Sequence, residues 1–240
     1  MKLKKATSRI YYLPGNSDTD RPYLYYINGE KYSVAIDAGN SKKHVETFYQ
    51  ALTEAGLSLP KYTIITHWHW DHTFGLYYIN GTSIGSEMTK DKLLKVSKWK
   101  WTNEKMQERE KTGEDIAFCN KCIQKEYQNL SDIQVKTVDI GIKKPIILDA
   151  GDIHIHLIPH DSTHSRDALF IFVPEEKSLF VGDGDCEDHY ENNGAIDQSR
   201  LISMIRFIEN LDFEHYFIGH DKPDCRDGAL KYLHELEHTS

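Results

Sequence analysis

A short apolar run at residues 62–66 leads directly into His67-Trp68-His69-Trp70-Asp71-His72. The run reads as a strand, since it is too short for a helix of ordinary length. In extended chain, alternate side chains project to one side, so His67 and His69 leave the strand end together. A turn immediately after it brings Asp71 and His72 in from a second direction. Imidazole nitrogen and carboxylate oxygen are donors that suit zinc. The plain alternative is three histidines gathered by accident on a surface or in a core. Their spacing and their place at a strand end favour metal ligation.

Around this loop the chain alternates strand and helix signals. Residues 8–13 and 23–27 are short, aromatic and β-branched, and read as strands. Asn28-Gly29 is a hairpin turn signal, and residues 32–37 form the return strand. Ser41 is placed to cap a helix that carries Val45, Phe48, Leu52 and Ala55 on one face and stops at Gly56. Residues 87–130 are different in kind: polar, rich in Lys, Glu and Gln, with sparse apolar marks and a break at Gly113. They predict a helical hairpin inserted into a β-rich scaffold. Strands are then expected at 134–139, 144–148, 153–159, 168–173 and 178–181. A helix at 197–211, a last strand at 215–218 and a polar terminal helix with Leu230, Leu233 and Leu236 complete the pattern. Strands and helices thus fall in two similar groups on either side of the insert. That pattern predicts an α/β (α+β) fold, two sheets face to face with helices outside, in a single domain over 1–240.

Five elements, taken in order, resemble the metallo-β-lactamase fold superfamily. T-H-W-H-W-D-H matches its H-x-H-x-D-H signature, and V-A-I-D-A-G at Asp37 matches the strand whose aspartate is structural. His164 in D-S-T-H-S, Asp183 in F-V-G-D and His220 in F-I-G-H match the later ligands. The successive intervals from His72 are 92, 19 and 37 residues, and all fit the family. The resemblance covers residues 24–220 apart from the insert. It implies a four-layer αββα sandwich of two mixed sheets. It also implies two metal sites, one held by His67, His69 and His164, the other by Asp71, His72 and His220, with Asp183 between them. Two zinc ions are the expected cofactor, with manganese or iron as alternatives. A hydroxide shared by two cations roughly 3.5–4 Å apart is the implied nucleophile. Asp71 is the expected catalytic carboxylate, orienting the water.

Other residues carry weaker signals. Trp68 and Trp70 are candidates for substrate contact, against the plainer expectation that they pack beneath the loop. Arg166 and Lys222, each two residues beyond a ligand, are candidates to meet an anionic substrate group; a surface ion pair is the alternative. His160 is a candidate to orient a ligand. His154 and His156 read as structural, and Cys119-x-x-Cys122 as two ordinary helix cysteines. Asp185 competes with Asp183 for the ligand role, and the family pattern favours Asp183.

Charge narrows the function classes. The formal net charge is −8, from 29 basic and 37 acidic residues, so a field that gathers polyanions is not expected. Residues 90–111 hold eight Lys or Arg against four Asp or Glu, which reads best as a solvated helix face. No stretch approaches the roughly 20 apolar residues that span a bilayer, so no membrane association is expected. The opening MKLKKATSRIYYLPG has lysines without an apolar run behind them, and the cytoplasm is the expected compartment. The lack of an export signal argues against an exported β-lactamase, and the few residues beyond His220 argue against a glutathione-binding helical domain. The expected activity is hydrolysis of a small ester, thioester, lactone or phosphodiester. Nuclease or nucleotide phosphodiesterase activity and β-lactamase-like amide hydrolysis are the alternatives. The expected partner is a small-molecule substrate, with the insert serving as a lid or a homodimer contact.

Overall fold

The computed structural model describes residues 2–238, so residues 1, 239 and 240 of the expected domain lie outside it. Strands alternate inward and outward side chains, and here both faces are covered. The first sheet runs in chain order through β1 (Lys4–Lys5), β2 (Ile10–Leu13), β3 (Leu24–Asn28), β4 (Ser33–Ile36), β5 (Tyr62–Ile64), β6 (Thr82–Ser86) and β7 (Ile140–Ile142). Its first four strands pair antiparallel, and β4 to β7 pair parallel. The second sheet contains β8 (Ile146–Asp149), β9 (His154–Pro159), β10 (Leu169–Val173), β11 (Ser178–Gly182), β12 (His215–Ile218) and β13 (Asp224–Cys225). They lie in order β13-β12-β11-β10-β9-β8, with only β11 and β12 parallel.

The two sheets meet over one apolar layer. Ile27, Val34, Ile36 and Ile64 of the first sheet face Ile155, Leu157, Leu169, Ile171 and Phe217 of the second. Along β10 the alternation is explicit: Leu169, Ile171 and Val173 point into that layer, while Phe170 and Phe172 point outward. Each such side chain contributes about 1.5–3 kcal/mol when fully buried, which makes this layer the main source of rigidity.

Helices cover the outer faces. They are α1 (Lys42–Glu54), α2 (Trp70–Thr73), α3 (Glu87–Val96), α4 (Asn103–Thr112), α5 (Ala117–Glu126), α6 (Gln198–Glu209) and α7 (Arg226–Glu237). Phe48, Ala51 and Leu52 of α1 pack on Leu13, Leu24, Tyr26 and Ala35 of the first sheet. Leu201, Met204 and Ile208 of α6, with Leu233 of α7, cover Phe170, Leu179, Val181 and Tyr216 of the second. Ser41 caps α1 as expected, its Oγ accepting from the His44 N–H at 3.1 Å. No helix among the described residues is long and apolar enough to cross a membrane.

Three sequence expectations need correction. The insert holds three helices rather than a hairpin, because α3 stops at Val96 and Thr102 caps a new helix. The turn between them is set by a distant contact: the Arg109 guanidinium sits 4.4 Å from the Trp99 ring and 4.7 Å from the Trp101 ring. Residues 134–139 form no strand, and strand pairing begins only at Ile140, opposite Ile84. Asp139 explains the delay, since its carboxylate takes the Ser83 N–H at 2.9 Å and the Ser83 hydroxyl at 2.8 Å. Finally, β6 has no counterpart in the sequence reading. Its residues, TSIGS, are small and partly polar, yet four of the five are buried.

Candidate metal centre

The metal loop is held from beneath before any ligand is considered. Asp37 follows β4 in a left-handed conformation, φ 63°, which is uncommon for a residue with a side chain. Its carboxylate accepts the Thr66 N–H at 2.8 Å and the Thr66 hydroxyl at 2.9 Å, pinning the exit of β5. His67 and His69 follow in extended chain. The single turn of α2 then swings Asp71 and His72 inward, and Thr73 Oγ1 closes that turn by donating to the His69 carbonyl at 2.8 Å. Trp68 and Trp70 are buried in the cluster that joins this loop to the insert, with Leu93, Met106 and Ile123.

Three other loops complete the site. His164 lies between β9 and β10, and its Nδ1–H donates to the Glu187 carbonyl at 2.7 Å. Asp183 follows β11, behind Gly182 in a left-handed conformation (φ 59°). His220 follows β12, and Gly219 before it packs so closely that a Cβ there would lie 1.9 Å from Asp183 Oδ1. A glycine is needed at 219 for Asp183 to occupy its place.

The side chains gather in two groups: His67, His69 and His164 in one, and Asp71, His72, Asp183 and His220 in the other. Within each group one ligand atom per residue lies within 4.8 Å of the rest. His69 Nδ1 is 2.8 Å from His164 Nε2. Asp71 Oδ2 is 2.9 Å from His220 Nε2 and 3.0 Å from His72 Nε2. Asp183 Oδ2 lies 3.3 Å from His220 Nε2, 3.4 Å from His72 Nε2 and 3.7 Å from His164 Nε2. It therefore reaches both groups.

Electrostatics and hydrogen bonding test whether cations belong there. His67 Nε2, His72 Nε2 and Asp183 Oδ1 are buried without a hydrogen-bond partner. Leaving such atoms unpaired costs about 1–3 kcal/mol each, and unpartnered imidazole nitrogens in both groups, at His67 and at His72, fit a cation in each. Burial disfavours a charge on His72, but Asp71, Asp183 and Asp37 more than offset it and hold its pKa well above the usual imidazole value. At His220 burial is likewise outweighed, by Asp183 and Asp71. The carboxylates around these two rings favour positive charge there. Burial holds His67 and His69 well below the usual value, so both are neutral and free to coordinate. The donor set is N and O throughout, suited to zinc and to other first-row divalent ions.

The centre opens into a cavity of about 450 Å³. His69, Asp71, His164, Asp183 and His220 form its floor, and Ile116, Phe118, Cys119 and Tyr190 form an apolar side. Asp20, Cys186, Glu187 and His189 complete the wall; the last three lie on the acidic run after Asp183, a loop that the sequence marks as bordering the pocket, whereas Asp20 carries no such mark. Asp20 follows a short 3-10 turn (Ser17–Thr19) far from the motif, with no sequence signal to find it. Burial and the nearby Asp71 carboxylate push its pKa up to about 7. The insert supplies Ile116, Phe118 and Cys119, so it does border the mouth.

Several candidates fall elsewhere. Trp68 and Trp70 are buried in the cluster beneath the loop and do not line the cavity. Arg166 is turned to the surface, paired with Glu191 at 3.0 Å and Asp161 at 3.4 Å. Lys222 lines a neighbouring hollow with Tyr216, Asp224 and Tyr232, which shares Cys186 and His220 with the cavity. His160 stacks on Phe170 and Phe207 and donates to the Asp161 carbonyl, so it orients no member of the cluster. His154 pairs with Glu175, a structural role as expected. Asp185 accepts from the Tyr216 hydroxyl at 3.1 Å and takes no part in either group.

Comparison with known proteins decides the family. Residues 19–220 match the family model described as the metallo-beta-lactamase superfamily. The chain belongs to the metallo-beta-lactamase superfamily. It is similar to a metallo-beta-lactamase from Pontibacter korlensis, with a TM-score of 0.68 at 15% identity over 100% of this chain and 99% of that one. An archaeal metallo-beta-lactamase superfamily protein from Sulfolobus tokodaii gives 0.60 at 18% identity, over 95% and 84%. A sec-alkylsulfatase from a Pseudomonas species gives 0.72 at 12% identity over 98% of this chain, which spans only 41% of that enzyme. At these identities the likeness is one of fold alone. No curated protein matches the chain in sequence. The superfamily is hydrolytic, and this member carries the His/Asp cluster that such chemistry uses. Its two mixed sheets with flanking helices are the superfamily sandwich.

Proposed function

We propose that the protein is a dinuclear metal-dependent hydrolase, with zinc as the resident ion, acting on a small-molecule ester, thioester, lactone or phosphodiester. One observation carries the dinuclear reading: Asp183 Oδ2 lies within 3.7 Å of His164 in one group and within 3.4 Å of His72 and His220 in the other. In this reading His67, His69 and His164 hold one ion, Asp71, His72 and His220 the other, and Asp183 serves both. Two divalent cations held there supply Lewis acidity and a hydroxide nucleophile at neutral pH.

The chain's own groups do the rest. Asp37 fixes the His72 ring by accepting its Nδ1–H, and the Glu187 carbonyl does the same for His164, so each presents Nε2 to the centre. Asp71 keeps its charge: burial is outweighed by His72 and His220, and its pKa lies well below the usual carboxylate range. An ionised carboxylate at the cavity floor accepts a hydrogen bond from incoming water and orients it. The buried tryptophans on either side of His69 keep bulk water from the back of the site, which strengthens every charge interaction within it.

The test is a substrate panel. Protein loaded with zinc is assayed on chromogenic esters, thioesters, lactones, phosphodiesters and cephalosporins. Turnover on at least one class is expected, falling by about a hundredfold or more in His69→Ala and in Asp183→Ala. Turnover that survives both substitutions would overturn the reading.

A further inference from the structure

The charge pattern of the cavity narrows the substrate. Once Asp71 and Asp183 are assigned to the metal groups, two carboxylates remain in the wall, those of Asp20 and Glu187. None of the described residues lining the cavity is a lysine or arginine. Two basic side chains near the site in sequence are engaged elsewhere, and a third, Lys222, lies outside this wall in the neighbouring hollow that shares Cys186 and His220 with it. Arg21 donates to Glu126 through Nε at 3.2 Å, and Arg166 donates to Glu191 at 3.0 Å. The remaining wall is apolar. Ile116 and Phe118 come from the start of α5, and Phe118 is 57% exposed, a large ring left open at the mouth. The Tyr190 ring lies 4.8 Å from the His69 ring, and its hydroxyl is turned away toward Asp115 at 3.1 Å, so an apolar surface faces the centre.

From this wall we infer that the substrate is an uncharged carboxylic ester, open-chain or lactone, whose apolar arm lies against Ile116, Phe118 and Tyr190. An anionic arm finds no lysine or arginine in the wall and meets Glu187 instead, a like-charge contact that selects against it. An apolar arm covers the exposed Phe118 ring and loses only its contact with water. Acyl groups that end in a carboxylate are therefore poor substrates. In the reaction the acyl carbon gains a bond to the oxygen of water and loses its bond to the alcohol oxygen, which takes up one proton. The inference rests on the hydrolase reading and specifies its substrate.

A matched pair of substrates tests it. The zinc-loaded protein is given p-nitrophenyl hexanoate and the mono-p-nitrophenyl ester of adipic acid, which differ in one terminal carboxylate. The expected kcat/KM ratio favours the hexanoate by at least about tenfold, and Glu187→Gln lowers that ratio. Calorimetry gives a readout apart from turnover, using two inert methyl ketones of equal length, one ending in a methyl group and the other in a carboxylate. The uncharged ketone is expected to bind more tightly by a similar factor. Equal or better turnover and binding of the carboxylate forms would overturn the inference and leave the hydrolase reading intact. No turnover of any ester, thioester, lactone, phosphodiester or cephalosporin would overturn both.

Discussion

The Asp37 carboxylate accepts the Nδ1–H of His72 at 2.7 Å, and both groups are buried. This contact fixes which nitrogen of His72 faces the centre. It also joins β4 to the metal loop, because the same carboxylate holds Thr66. Asp37→Asn keeps the shape but loses the charge that favours this tautomer. We predict a metal affinity lowered by about 10–100-fold, measured by competition with a chelator of known affinity. Unchanged affinity would mean that the contact only braces the loop.

Gly219→Ala probes the tightest approach in the site. The added methyl would lie 1.9 Å from Asp183 Oδ1 and 2.9 Å from His72 Cε1, so Asp183 must move. Metal affinity is expected to fall by tenfold or more while the far-ultraviolet circular dichroism stays the same, because the clash is local to the carboxylate.

How much of this was legible beforehand depends on how local each signal is. His67, His69, Asp71 and His72 announce themselves because four donors fall within six residues at a strand end. His164, Asp183 and His220 are visible through short motifs at the ends of later strands. Asp20 and Tyr190 carry no such signal, since tertiary folding alone brings them to the cavity, whereas Glu187 and His189 lie on the acidic loop after Asp183 that the sequence marks as the pocket edge. The third helix of the insert was missed for the same reason: the break after Val96 is held by Arg109 against Trp99 and Trp101, not by a glycine or proline. Arg166 and Lys222 were misplaced because sequence distance from a ligand does not say which way a side chain turns.

Acid sensitivity follows from His44. Burial, aided by Arg21, pulls its pKa down to about 3 from an ordinary 6.5. As pH falls below 6.5 the unfolded chain gains a proton there that the folded chain refuses, so acid favours unfolding. The contribution reaches at most about 1.4 kcal/mol per pH unit across that window and is absent above it. Urea midpoints measured at neutral pH and near pH 5 are expected to differ more for the native sequence than for His44→Leu. Equal differences would contradict this assignment.

The buried pair of Arg200 and Asp188 braces the loop that carries Tyr190. Arg200 Nη2 lies 3.0 Å from Asp188, and Nη1 donates to the Ser162 carbonyl at 3.0 Å. Arg200→Met leaves the buried Asp188 carboxylate without its cation, held only by the Tyr190 and Glu191 N–H groups, and is predicted to cost about 3–5 kcal/mol in chemical denaturation. The double variant with Asp188→Asn is predicted to recover part of that loss. A single-variant cost below about 1 kcal/mol would show that the loop is held by other contacts.

Metal content per folded chain tests the central claim most directly. Protein equilibrated with zinc, freed of excess ion and analysed by mass spectrometry of its metals is expected to hold two equivalents. His164→Ala and His220→Ala should each lower that number, and Asp183→Ala should lower it furthest because its carboxylate reaches both groups. Binding of no zinc by the folded native sequence, or an unchanged two equivalents in all three variants, would contradict the account.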